Sequence, residues 1–374
     1  MNRISKILKH KFTFIMIAIF IGFLVSALVL GVSGYNPLEV YGILFKGMFS
    51  KPRYIMNIII KASPIILTGI SVAFALRVGL FNIGVEGQYI VGTIAATVVG
   101  IIFDFPSYIQ FPLILIVGTL AGGLYGAIAG YLKAKRGIHE VITGIMFNWI
   151  AFYAANYIVS LKRFRNPGTT TSYVLNSSGL DPIFNWKMSS VGQEVMGQST
   201  FLKEILGRTS ANIGIIIAII VALIITFILK KTTKGYELRA VGLNKYASEA
   251  SGINVEKNTM QTLLIAGAIA GLAGALSITG VSHRLYELMA LENYGFNGLA
   301  VALMAAGSPI GCIFAGLLFA GLTYGGGTIQ LEIGAPSEII DILIGTIVFC
   351  MALVTIIPLL IDKINKRGGK KNVR

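Results

Sequence analysis

The polar side chains best suited to chemistry in this chain cluster in one short segment, Arg77–Gln88. Its three glycines interrupt a helical pattern, while Asn82, Glu86 and Gln88 supply two amides and a carboxylate within apolar surroundings. Asn82 and Glu86 are four residues apart, so they share a face if the helix persists. An uncompensated carboxylate in hydrocarbon costs about 2.5–3.5 kcal/mol. Glu86 should therefore face a cavity, a partner group or the membrane interface.

Two interpretations of this segment are open. In the first, a broken helix lines a path for a solute through the membrane, and Asn82, Glu86 and Gln88 belong to that path. In the second, the segment caps a helix at the interface and Arg77 neutralises Glu86. We favour the first and predict a broken helix.

Further polar and aromatic residues lie in other apolar segments. Asn148 and Trp149 are in the middle of one segment, and Phe296 and Asn297 are in a shorter one. Buried amides often form hydrogen bonds between helices, and aromatic side chains often only pack. Together they also suit a planar solute, which needs a stacking surface and a few hydrogen-bonding partners. We therefore add these four residues to the predicted solute pathway.

The sequence offers no catalytic machinery. It lacks the G-x-x-x-x-G-K-[ST] motif of a nucleotide-binding P-loop. Its three histidines, His10, His139 and His283, are too scattered for the usual metal-ligand spacing. No nucleophile stands at a recognisable spacing from a base. We predict no enzymatic activity, no catalytic residue, no metal site and no cofactor in this chain.

The composition indicates a membrane protein. Of the 374 residues, 55% are hydrophobic and only 13% are charged, about half the charged fraction of a typical soluble domain. The mean hydropathy is +0.78. The net charge of +15 fits the enrichment of Lys and Arg on the cytoplasmic side of membrane proteins better than it fits nucleic-acid binding. We expect contact with membrane lipid and no nucleic-acid partner.

Ten apolar segments approach the roughly 20 residues that a helix needs to cross a bilayer. They are Phe12–Val32, Ile55–Leu76, Ile83–Phe103, Pro112–Leu132, Glu140–Ser160, Asn212–Leu229, Thr259–Val281, Glu292–Ala306, Pro309–Gly325 and Ser337–Ile361. With the N-terminus in the cytoplasm, 20 Lys and Arg fall inside and ten outside. We predict an all-α polytopic fold of about ten transmembrane helices, one transmembrane domain over residues 1–374, and both termini in the cytoplasm.

Two long polar loops interrupt the apolar segments. Residues 161–211 are rich in turn signals and form a predicted extracytoplasmic insertion. Residues 230–258 form the longest predicted cytoplasmic loop, and small residues in Tyr246–Ser251 favour a short helix that Gly252 would end. A short exposed helix on the inner face is typical of a surface that meets a cytoplasmic partner.

Two further patterns concern the arrangement of the helices. Gly79–Gly84 resembles Tyr294–Leu299, and the predicted topology places the two segments in opposite orientations, as in an inverted repeat. Glycines also recur every fourth residue from Gly118 to Gly130, and nearly so from Gly267 to Gly274. Such stripes let helix backbones approach closely. We favour packing inside one subunit over a seam between two subunits.

Four ordered blocks resemble the permease subunits of ABC importers. They are GLFNIGVEGQ (79–88), HEVITGIMFN (139–148), GYELRAVGLNKYASEASGINV (235–255) and GFNGLAVAL (295–303), the last followed by Ser308-Pro309-Ile310-Gly311. The nucleoside-type branch is the most similar, and ribose-type and branched-chain amino-acid permeases are related to it. The resemblance extends over nearly the whole chain from about Ile55.

The resemblance implies that two permeases form the pore, here as a heterodimer with a shorter paralogue. It implies a cytoplasmic ATP-binding subunit, which would bind ATP and magnesium, and an extracytoplasmic lipoprotein that delivers a small-molecule solute. It places the chain in the bacterial cytoplasmic membrane. The ATP-binding subunit would dock on Tyr246, Ala247, Ser248, Glu249, Ala250, Ser251 and Gly252. Two features depart from the family pattern: serines replace frequent alanines in this loop, and Asn297 stands where an aspartate is common.

Several functional alternatives are open. The chain resembles an importer of nucleosides most, but a ribose-type sugar importer or an amino-acid importer is related. A passive channel is a further alternative from a different class. A channel needs no docking helix on its inner face, whereas an ATP-driven importer does.

Overall fold

The computed structural model describes residues 11–354, which are mostly helical and contain two isolated β-bridges and no β-strand. The α-helices are α1 (Lys11–Val32), α2 (Pro37–Phe49), α3 (Pro52–Arg77), α4 (Val85–Ile102), α5 (Ser107–Arg136), α6 (Glu140–Ser160), α7 (Pro182–Met188), α8 (Ser190–Gly197), α9 (Thr200–Leu202), α10 (Gly214–Lys231), α11 (Thr233–Leu243), α12 (Lys245–Ala250), α13 (Val255–Ser277), α14 (Tyr294–Met304), α15 (Pro309–Ile333) and α16 (Ser337–Val354). Short π-helical turns, Lys203–Gly207 and Ile278–Ser282, follow α9 and α13. The structure agrees with the predicted all-α class.

Within the described part of the chain, seven helices are long and apolar enough to cross a membrane: α3, α4, α5, α6, α10, α13 and α15. The predicted segment Glu292–Ala306 contains only the eleven-residue α14, which is too short to cross a bilayer alone. The predicted segment Ser337–Ile361 ends outside the described residues, and both termini of the chain also lie outside them. The count of about ten crossings and the cytoplasmic position of the termini therefore stay predictions.

The chain forms two compact units. One comprises residues 1–50 and 321–374, and its described part contains α1, α2, the end of α15 and α16. A β-carbon added to Gly22 of α1 would lie 2.9 Å from the Cα atom of Ile347 in α16. Lys46 of α2 forms an ion pair with Glu332 at 3.1 Å. Because Gly22 has no side chain, the backbones of α1 and α16 can approach each other closely.

The second unit, residues 51–320, is built around a close contact between α5 and α13. A β-carbon on Gly122 would lie 2.6 Å from the Gly267 carbonyl oxygen, and one on Gly130 would lie 3.0 Å from the Met260 Cα atom. The glycine stripes therefore face each other within this chain, and their interpretation as intramolecular packing is confirmed. Such close backbone approach is a common way to associate helices where lipid offers no hydrophobic driving force.

Within the second unit, the segment 161–211 forms short helices and is held to later residues by hydrogen bonds. Asp181 accepts hydrogen bonds from the backbone N–H of Ile183 (2.9 Å), which caps α7, and from that of Ile213 (3.0 Å), next to the start of α10. The backbone N–H of Ser172 donates to the Leu285 carbonyl in the loop that precedes α14. The segment thus pairs with a loop that is more than 100 residues later in the chain.

Candidate functional site

The predicted break in the helical pattern is present, and it lies between two helices that are each long enough to cross a membrane. α3 ends at Arg77 and α4 begins at Val85, and residues 78–84 between them form a turn. Gly79 has a φ of +74°, a backbone conformation that glycine adopts without steric cost. We call residues 78–84 the α3–α4 turn. It carries Asn82 and leads directly to Glu86 and Gln88.

The side chains of Asn82 and Gln88 bind each other. The Asn82 Nδ2 atom donates to Gln88 Oε1 at 2.9 Å, and the Gln88 Nε2 atom donates to Asn82 Oδ1 at 3.2 Å. Both residues are almost fully buried. The paired amides therefore close the α3–α4 turn onto the first turn of α4.

Asn148 of α6 binds the backbone of the same turn. Its Oδ1 atom accepts from the Gly87 N–H at 2.8 Å, and its Nδ2 atom donates to the Ile83 carbonyl at 3.1 Å. A break between helices frees N–H and C=O groups, and these need such partners where they are buried away from water. Asn148 thus satisfies backbone groups that the break exposes.

Glu86 binds the beginning of α14. Its carboxylate is fully buried and accepts hydrogen bonds from the backbone N–H groups of Asn293 (2.8 Å) and Gly295 (2.5 Å). A β-carbon on Gly295 would lie 2.5 Å from the Glu86 nitrogen, so the close approach depends on glycine at this position. A negative charge is favourable at a helix N-terminus, where the N–H groups are unpaired.

Arg77 binds the opposite end of α14. Its Nε atom donates to the Gly307 carbonyl at 2.8 Å, and its Nη2 atom donates to the Ala306 carbonyl at 3.3 Å. A positive charge is favourable at this end. The interpretation in which Arg77 neutralises Glu86 is therefore wrong: the two side chains bind opposite ends of one helix and leave α14 fixed to both sides of the α3–α4 turn.

The two segments of the predicted repeat, Gly79–Gly84 and Tyr294–Leu299, lie next to each other at Glu86. The first precedes α4 and the second begins α14, and the carboxylate lies in the first turn of α4 while it caps α14. The side chain of Thr68 in α3 donates to the Tyr294 carbonyl at 2.9 Å, nine residues before Arg77. Nine residues of helix correspond to about 13.5 Å, so α14 begins well inside the length of α3. The inverted orientation of the repeat stays a prediction.

The other predicted pathway residues have different surroundings. Phe296 and Asn297 lie in the first turn of α14, next to the glycine that binds Glu86, and both are partly exposed. Trp149 is 48% exposed and contacts Phe152 and Tyr153 of its own helix. The structure thus brings Asn82, Glu86, Gln88 and Asn148 together, places Phe296 and Asn297 beside them, and leaves Trp149 apart. Their roles in solute movement stay predictions.

A narrow cleft, too small in this conformation to hold a water molecule, lies beside the α3–α4 turn. Its lining combines aromatic rings, amides and one carboxylate. The lining residues are Phe81, Asn82, Gly84, Gln88, Tyr125, Ala129, Glu140, Gly144, Phe147 and Leu263. Sequence reasoning missed Tyr125 and Glu140 as lining residues. Glu140 is a carboxylate at the start of an apolar segment, so it could have been singled out from the sequence. Tyr125 lies between Gly122 and Gly126, and nothing in the sequence distinguishes it.

The predicted cytoplasmic loop contains two helices, α11 and α12. The Asn244 side chain accepts from the Ala247 N–H at 3.1 Å and so caps α12, and Gly252, with a φ of +80°, follows its end. The side chains of α12 are exposed except that of Ser248, and Tyr246 is 83% exposed. A six-residue helix with this much exposed surface is available for contact with another protein. The docking role of residues 246–252 stays a prediction.

The chain matches one protein family and several transport permeases. Residues 54–352 match the family described as branched-chain amino acid transport system / permease component. The guanosine ABC transporter permease protein NupP of Bacillus subtilis (strain 168) is 41% identical over 95% of this chain and 97% of its own length. The nucleoside ABC transporter permease protein NupB of Lactococcus lactis subsp. cremoris (strain MG1363) is 36% identical, over 93% and 92%.

A second guanosine ABC transporter permease protein of Bacillus subtilis, NupQ, is 27% identical over 69% of this chain and 77% of its own length. No solved structure matches the chain. The family match covers most of the residues, and the two relatives above 30% identity span nearly all of them. The chain therefore belongs to the branched-chain amino acid transport system / permease component family.

Proposed function

We propose that this chain is the membrane permease subunit of an ATP-driven ABC importer and that the importer takes up nucleosides. The observation that carries the proposal is the similarity along almost the whole chain to two permeases named for guanosine and nucleoside transport. The first of these matches covers 95% of this chain and 97% of the relative.

The cleft supports nucleosides as the solute class. A nucleobase is planar and polar at its edges, so its recognition needs a stacking surface and a few hydrogen-bonding groups. Phe81, Tyr125 and Phe147 supply aromatic rings. The polar groups beside them, Asn82 and Glu140, bind Gln88 and Lys133 in this conformation and would have to exchange these partners for the solute. We propose that the cleft is part of the solute path and widens when the transporter opens.

The proposed importer contains further subunits. NupP and NupQ are two different permeases of one organism, both named for guanosine transport, which supports a second, paralogous permease as the partner. We propose that a cytoplasmic ATP-binding subunit docks on Tyr246–Gly252 and holds ATP and magnesium, so that this chain needs no cofactor. An extracytoplasmic lipoprotein delivers the solute, on the side that carries residues 161–211.

These assignments define the proposed mechanism and orientation. The chain lies in the cytoplasmic membrane of a bacterium with both termini and residues 230–258 inside. Closure of the ATP-binding subunits moves the two permeases as rigid bodies, so that the path opens alternately to each side. Hydrolysis takes place in the partner subunit, and this chain has no enzymatic step of its own.

Reconstitution tests the proposal. The chain is placed in proteoliposomes with a second permease, the ATP-binding subunit and the lipoprotein, and uptake of labelled guanosine is measured with and without ATP. We expect ATP-dependent uptake that unlabelled adenosine or uridine inhibits and that ribose or leucine does not. Inhibition by ribose or leucine alone would indicate a sugar or amino-acid importer. Guanosine flux through the chain alone, without ATP, would indicate a channel and contradict the proposal.

The substitution Asn82→Ala tests the role of the cleft. It removes a polar group from the cleft lining and leaves the Gln88 amide without its partner. We expect guanosine uptake to fall while the ATP-binding subunit still co-purifies with the permeases. Uptake at the wild-type rate would show that Asn82 has only a structural role.

A further inference from the structure

The α3–α4 turn touches the α11–α12 loop directly, through backbone atoms. A β-carbon on Gly242 of α11 would lie 2.5 Å from the Arg77 carbonyl oxygen and 2.8 Å from the carbonyl carbon of Val78. One on Gly79 would lie 3.3 Å from the Gly242 carbonyl oxygen. Since neither glycine has a side chain, no flexible group lies between the two backbones. A displacement of α11 toward the turn would therefore press directly on the backbone of the turn.

The other end of the same turn touches α6 in a similar way. A β-carbon on Gly144 would lie 2.7 Å from the backbone nitrogen of Gly84. Both of these glycines line the cleft, together with Phe81 and Asn82 of the turn. The seven-residue turn thus has one end against the α11–α12 loop and the other end in the cleft wall.

The turn is also braced internally. Asn82 is bound to Gln88, and Asn148 binds the backbone on both sides of Gly84. A turn whose polar groups are paired and buried does not absorb a displacement by rearranging locally, because each broken bond would leave a buried group unpaired. It moves as one body with the start of α4.

Gly242 is close in sequence to the proposed docking helix. α11 ends at Leu243, and Asn244 serves as the C-terminal cap of α11 and the N-terminal cap of α12. Only two residues thus separate the Gly79 contact from α12, whose side chains are largely exposed. A force applied to α12 reaches Gly242 through helix ends that share a capping residue.

We infer that the contact between Gly79 and Gly242 transmits movement of α12 to the cleft and thereby couples ATP hydrolysis to nucleoside movement. The inference rests on the proposed function, since it takes α12 as the surface that the ATP-binding subunit moves. Gly79 and Gly242 are positioning residues: they act on the cleft through the α3–α4 turn and do not touch the solute.

The chain offers a matched control for this contact. Gly137 follows the end of α5 with a φ of +66°, close to the +74° of Gly79, but a β-carbon there would meet no atom within 4 Å. Asparagine tolerates positive φ better than other residues with a side chain. Gly79→Asn and Gly137→Asn therefore impose similar backbone strain, and only Gly79→Asn pushes the two backbones apart.

The experiment compares these variants in proteoliposomes that contain the complete importer. The readout is the number of guanosine molecules taken up per ATP hydrolysed, together with co-purification of the ATP-binding subunit. We expect Gly79→Asn to lower this ratio about fivefold or more, the lower range of typical coupling energies, while the ATP-binding subunit remains bound and hydrolyses ATP. Gly137→Asn should keep the wild-type ratio.

Gly242→Ala perturbs the same contact from the other side and covers a failure of Gly79→Asn to fold. Either variant, assembled and with an unchanged ratio, would overturn the inference, and loss of assembly in both variants would overturn it too, since the contact would then serve folding alone. The proposed function fails separately, if the wild-type complex shows no ATP-dependent guanosine uptake or does not retain the ATP-binding subunit.

Discussion

Replacement of Asn148 by leucine is the most direct test of how the broken helix is held. Leucine has a similar branched shape but neither donates nor accepts a hydrogen bond. The substitution therefore leaves the Gly87 N–H and the Ile83 carbonyl, both bound by Asn148 at 2.8 and 3.1 Å, without these partners. The Ile83 carbonyl lies in the α3–α4 turn and the Gly87 N–H in the first turn of α4, where N–H groups have no partner within the helix.

The magnitude follows from the two lost hydrogen bonds. Side-chain hydrogen bonds in a membrane protein contribute about 0.6 kcal/mol on average and up to roughly 1.7 kcal/mol. Two bonds give an expected loss of about 1–3 kcal/mol in the free energy of unfolding. The assay is unfolding in mixed micelles titrated with SDS, alongside guanosine uptake by the reconstituted importer.

Asn156 supplies the matched control on the same helix. Its side chain makes the same pair of bonds to a backbone, accepting from the Leu288 N–H at 2.8 Å and donating to the Leu288 carbonyl at 2.9 Å. We expect Asn156→Leu to lose a similar amount of stability but to retain more uptake, because Leu288 is not among the cleft residues. Equal loss of uptake in both variants, or wild-type stability of Asn148→Leu, would refute the reasoning.

Three further predictions concern helix packing, α14 and the docking helix. Gly122→Ala should destabilise the chain by about 1–3 kcal/mol in the SDS titration, because its β-carbon would lie 2.6 Å from the Gly267 carbonyl oxygen. Gly327→Ala is the control: its β-carbon would meet nothing within 4 Å, so the variant should be neutral or more stable by up to about 1 kcal/mol. Arg77→Gln should lower the unfolding free energy by about 1–2 kcal/mol, since it removes the charged donor to the Gly307 and Ala306 carbonyls; an unchanged unfolding curve would show that α14 does not need it. Glu249→Arg reverses a charge on the exposed face of α12 and should uncouple ATP hydrolysis from uptake without preventing membrane insertion; wild-type uptake per ATP would remove the docking assignment.

Local patterns were sufficient for much of the fold. Apolar segments of about 20 residues predicted most of the long helices, because hydrocarbon length and helix rise set the length that can cross a bilayer. The glycines around Gly122 predicted a close helix contact, because a helix face without side chains lets any neighbouring backbone approach closely. The glycines and polar residues of Arg77–Gln88 predicted the break between α3 and α4. Each of these signals lies within a single helix or turn.

Partners distant in sequence could not be predicted in this way. The less favoured interpretation of the sequence paired Glu86 with Arg77, nine positions earlier, but the carboxylate binds backbone N–H groups more than 200 residues later. Trp149, predicted for the solute path, is about half exposed, and its role stays a prediction. The contact between Gly79 and Gly242 likewise has no signature in either segment. Hydrogen bonds and close approaches depend on which helices become neighbours and how they rotate, and these properties exist only once the whole chain has packed.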